Sequence, residues 1–64
     1  MCLSAVYKNT QSRENLVLSN VQRIEEKDGV IVLTNIMDQQ VAVEGRIVMA
    51  DLIGGVVVIE EARN

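Results

Sequence analysis

Branched aliphatic side chains dominate this chain: eleven valines and six isoleucines stand against five leucines, and Tyr7 is the single aromatic residue. Side chains branched at Cβ are stiff at χ1 and fit a pleated surface better than a helix. No proline interrupts the chain, so no strand lacks a backbone donor. The sequence therefore reads as all-β. Its 64 residues make one domain, 1–64, close to the lower size at which a core is stable alone. A disulfide within the chain is excluded, because Cys2 is the only cysteine.

Turn signals arrive at short intervals, as in a meander of hairpins. They delimit candidate strands at 2–8, 15–18, 21–27, 30–34, 41–43, 46–53 and 56–61. Asp28-Gly29 is the strongest turn, since both residue types tolerate positive φ. Ser19-Asn20, Glu44-Gly45 and Gly54-Gly55 mark further breaks, and no window is long enough for a substantial helix. Six or seven short antiparallel strands predict a small SH3-like or Sm-like barrel, an architecture that hides sheet edges.

Three runs are apolar on both faces: Val30-Ile31-Val32-Leu33, Ile47-Val48-Met49-Ala50 and Val56-Val57-Val58-Ile59. A sheet with one wet face should alternate instead. Either both faces pack inside a tightly wound barrel, or an outer strand face joins two copies. The small size favours the second, and a homodimer is expected.

Nine acidic and six basic residues give a formal charge of −3, and the bases are scattered. No basic stripe follows a phosphate backbone and stacking aromatics are absent, so nucleic acid is not an expected partner. No apolar run approaches the ~20 residues of a membrane span, and no export signal is evident. A single unpaired thiol fits a reducing compartment, which points to the cytoplasm.

An enzyme is not expected. The chain has no histidine, the commonest general base and metal ligand. Glu25-Glu26 and Glu60-Glu61 are adjacent pairs, and neighbours on a strand point to opposite faces, so neither pair converges. Gly54-Gly55 lacks the pattern of a phosphate loop. Met1, Met37 and Met49 are too dispersed for a thioether cluster, and Met49 reads as core filler.

Cys2 differs by position. Removal of Met1 would put an amine and a thiolate on one residue, able to close a five-membered chelate ring. If Met1 stays, its amine, the Cys2 amide nitrogen and the sulfur form adjacent rings. Nitrogen and thiolate donors in a plane suit Ni(II) or Cu(II), whereas zinc asks for a tetrahedron. One cysteine fills at most part of a square, and a two-fold axis near Cys2 would supply the rest.

Met1-Cys2-Leu3-Ser4-Ala5-Val6-Tyr7 resembles the start of CooT proteins, accessory proteins linked to nickel insertion into carbon monoxide dehydrogenase. The similarity continues through Asp28-Gly29-Val30-Ile31-Val32-Leu33-Thr34, Val43-Glu44-Gly45-Arg46-Ile47, Asp51-Leu52 and Val57-Val58-Ile59-Glu60. The resemblance implies a small β-barrel homodimer that binds Ni(II) through the cysteine at position 2. Carbon monoxide dehydrogenase or another nickel enzyme would receive the metal. The competing reading is an interaction module that binds protein or RNA through a barrel face, with Cys2 incidental.

Overall fold

The structure, a computed structural model, describes residues 3–62. Five strands follow one another: β1 (Ser4–Lys8), β2 (Leu16–Lys27), β3 (Val30–Asn35), β4 (Gln40–Asp51) and β5 (Val56–Glu61). Each pairs with the next in antiparallel fashion, and β1 pairs with β5 in parallel to close the barrel. The small all-β barrel expected from the composition is what forms.

The strand count is five because two expected breaks lie inside continuous strands. Ser19-Asn20 falls within β2, where the strand leaves β1 for β3: Leu18 faces Val6, whereas Arg23 faces Thr34. Asn20 takes a positive φ of 56° there. Glu44-Gly45 falls within β4, where pairing passes from β3 to β5: Glu44 faces Val30, and Gly45 faces Glu61. Turn-forming residues thus serve as corners at which one long strand passes from one neighbour to the next.

Among the described residues, all four non-glycine residues with positive φ are Asn or Asp: Asn9, Asn20, Asp28 and Asp38. Their short polar side chains make the left-handed region tolerable. Asp28-Gly29 forms the expected two-residue turn between β2 and β3, with φ values of 53° and 80°. Helix is confined, among the described residues, to one 3-10 turn at Arg13–Asn15.

Every strand contributes to one core. Val6, Val21, Ile31, Leu33, Val43, Val57 and Ile59 are buried together, with Val17, Leu18, Ile24 and Val41 half-buried against them. Two of the three double-faced apolar runs are absorbed here: Ile31 and Leu33 point inward with Val30 and Val32 half-covered, and Val57, Val58 and Ile59 are all buried. The third run, Ile47-Val48-Met49-Ala50, stays exposed. Met49, expected as core filler, is 38% exposed. It faces Val58 on a half of β4 that extends past the end of β3 and so gains no covering layer.

The β3–β4 connection is organised by Asn35, which is 6% exposed. Its Oδ1 accepts from the Met37 and Gln39 amides at 3.0 and 2.9 Å, and its Nδ2 donates to Gln39 Oε1 at 2.8 Å. Asn35→Ala removes three bonds and leaves two amides searching for partners. It is expected to destabilise the barrel by about 1–3 kcal/mol, read as a lower urea midpoint with unchanged slope.

Candidate metal site

Cys2, the expected metal ligand, lies outside the described residues, as does Met1. The residue bonded to it, Leu3, begins the described chain, and Ser4 is already buried at the start of β1. The Ala5 amide donates to the Gly55 carbonyl at 2.8 Å, the first bond of the parallel β1–β5 ladder. Gly55 has φ +73°, and a Cβ on it would stand 3.1 Å from the Leu3 carbonyl oxygen. The β4–β5 turn is therefore pressed against the backbone that follows Cys2. Leu3, Leu52 and Ile53 are exposed around it.

Several carboxylates have partners of their own. Asp51 Oδ1 accepts from the Gly54 amide at 2.8 Å and fixes the β4–β5 turn. Arg46 Nε donates to Glu60 Oε1 at 3.1 Å, while Lys8 Nζ lies 3.5 Å from Glu61. Glu25 pairs with Arg23 at 3.4 Å. Adjacent glutamates thus diverge, as strand geometry dictates: Glu60 faces Arg46 on β4, and the Glu61 amide donates to Asn9 Oδ1. Among the described residues no three His, Cys, Asp or Glu side chains gather into a metal-binding group. A surface cleft lined by Gly29, Gly45, Arg46, Val48 and Glu60 lies towards the opposite end of β5 from Gly55. Among the described residues no helix is long and apolar enough to cross a membrane.

The residue that sequence reasoning passed over is Asn35. A polar residue closing an apolar strand just before a turn is the signal that could have marked Asn35.

Fold and surroundings define a minimal closed barrel whose ion pairs, among the described residues, are all exposed at the surface. A family model described as "CO dehydrogenase accessory protein CooT" matches residues 1–60, and the chain belongs to the CooT family. The family's role is that of an accessory protein and not of a catalyst. Among solved structures, one described as "Crystal structure of putative CooT from Carboxydothermus hydrogenoformans" superposes with a TM-score of 0.85, covering 97% of this chain and 100% of that one at 19% identity. At that identity the likeness speaks for the fold. The comparison with curated proteins finds no match.

Proposed function

We propose that this CooT-family protein carries Ni(II) as cargo on the Cys2 thiolate, acts as a homodimer in the cytoplasm, and assists nickel insertion into carbon monoxide dehydrogenase. The observation that supports this most directly is the family match, which begins at residue 1 and so includes Cys2. A delivery protein must hold its ion and also release it. Few protein ligands at a chain end serve that better than a closed four-ligand cage. Glu60 and Glu61 are placed in surface pairs and Asp51 bonds its own turn, while sulfur and backbone nitrogen are donors suited to Ni(II).

Titration of the purified protein with nickel tests the reading: thiolate-to-nickel charge-transfer absorption should grow to a sharp end point. Absence of that band at saturating nickel would leave the interaction-module reading in its place. Glu25→Gln, Glu26→Gln, Glu60→Gln and Glu61→Gln are each expected to titrate like the parent, and a marked loss of affinity in any of them would move the site.

A further inference from the structure

Among the described residues, the two long strands pair along most of their length on one edge at a time: β2 pairs with β1 up to Val21, and β4 pairs with β3 up to Glu44. Beyond Val21, β2 pairs with β3 alone; beyond Glu44, β4 pairs with β5 alone. The open edge of β2 carries Arg23, Glu25, Glu26 and Lys27, the kind of charged guard that keeps sheet edges from pairing. The open edge of β4 carries Ile47, Val48, Met49 and Ala50, all exposed. Of these two second halves, that of β2 is guarded by charge and that of β4 is apolar.

The ends of the open β4 edge are oppositely charged, Arg46 at one and Asp51 at the other. On a regular strand these two residues would point to opposite faces. The bulge between Ile47 and Met49 removes that mismatch. Residues directly opposite one another share a face. Arg46 and Asp51 therefore lie on one face, opposite Glu60 and Val56, while Ile47 and Ala50 lie on the other, opposite Ile59 and Val57. Read from either end, the order of faces is the same.

We propose that a second copy of this chain adds its β4 antiparallel to this edge, about a two-fold axis between residues 48 and 49. Arg46 then faces Asp51 of the second copy at both ends, Ile47 faces Ala50, and the valine and methionine meet at the centre. Each charged end has bonding capacity to spare. Arg46 uses Nε on Glu60, and Asp51 uses Oδ1 on the Gly54 amide, while a guanidinium has five donors and a carboxylate two acceptor oxygens. The inference rests on the homodimer of the proposed function but is independent of nickel.

Sedimentation of the full chain and five samples decides it. Val48→Lys should weaken self-association at least about tenfold by placing cations at the axis. Arg46→Asp and Asp51→Arg should each weaken it, and mixing the two variants should restore a dimer, because every aspartate then meets an arginine. Circular dichroism verifies that each variant folds. Should Asp51→Arg fail to fold for want of its turn bond, Arg46→Asp and Val48→Lys still decide the matter. Ile53→Lys, at the β4–β5 turn, should leave the dimer intact. A dimer unaffected by Val48→Lys, or one lost with Ile53→Lys alone, overturns the β4 pairing while leaving the homodimer standing. A parent chain that sediments only as a monomer removes both.

Discussion

Replacing Cys2 with serine is expected to abolish specific nickel binding while the barrel melts as before. A serine hydroxyl stays protonated near neutral pH and is a poor ligand for a borderline-soft ion, whereas a thiolate binds it well. The first side chain buried in the described barrel is that of Ser4, and the ladder bond that secures this end is made by the Ala5 amide. A change at position 2 should therefore shift stability by no more than about 1 kcal/mol. Acidifying the nickel-loaded parent should release the ion, since protons and metal compete for the same sulfur and the unloaded, protonated form wins as pH falls. Isothermal titration of both proteins, with melting curves alongside, reads all three expectations. A serine variant that binds nickel with unchanged affinity would defeat the cargo-site reading. One that unfolds would show that the cysteine serves the core instead.

The largest stability effect is expected at Gly45. A Cβ there would lie 3.0 Å from the Glu60 carbonyl carbon and 3.1 Å from the Glu61 Cα, and closer still to the Glu60 carbonyl oxygen. These are backbone atoms of the β4–β5 ladder, so no side chain can swing aside. The Ala62 amide bonds the Glu44 carbonyl at 2.8 Å and Gly45 itself bonds the Gly29 carbonyl at 3.0 Å, tying both neighbours in place. Gly45→Ala must separate β4 from β5 at the corner where β4 changes partner, and should cost about 3 kcal/mol or more. For a domain this small, whose whole stability is on the order of 5 kcal/mol, much of the population would unfold. Gly29→Ala is the control. That glycine has φ +80° but nothing within 4 Å of the methyl that alanine would add, so it should lose only about 1 kcal/mol from backbone conformation. Urea melts that rank the two the other way would show that β4 and β5 are less closely apposed than the ladder implies.

These two glycines also show what sequence could and could not convey. Asp28-Gly29 was legible because the geometry it needs is local: two adjacent residues of types that tolerate positive φ, between two strands. Gly45 was legible as a break and misread as a turn, because its reason is the backbone of another strand, distant along the chain. Ser19-Asn20 failed for the same cause. The apolar runs 30–33 and 56–59 were legible as strands that need cover, and Ile31, Leu33, Val57 and Ile59 are buried. Periodicity could not tell which of three similar apolar runs the barrel would leave uncovered, since that depends on the β3 pairing ending at Glu44. At the candidate site the sequence offered a donor by residue type, the Cys2 thiol, and the structure describes only the residues that follow it. The setting of Leu3 against Gly55 was not legible, because it joins the two ends of the barrel's chain.

That same long-range joint has a kinetic side. β1 is held on one flank by β2 and on the other by β5, with Ala5 opposite Val56 and Lys8 opposite Ile59. The closing ladder therefore cannot form until almost all of the chain has left the ribosome. Until then the β1–β2 hairpin presents an unsatisfied edge beside the cysteine-bearing end. Closure of so large a loop is slow, and barrels dominated by distant pairings fold in milliseconds to seconds. A newly made chain thus passes through an interval in which its thiol is borne on an unfinished sheet, open to oxidation or to stray metal ions. Order around the amino-terminal end arrives last, as a consequence of a parallel pairing between the first strand and the fifth.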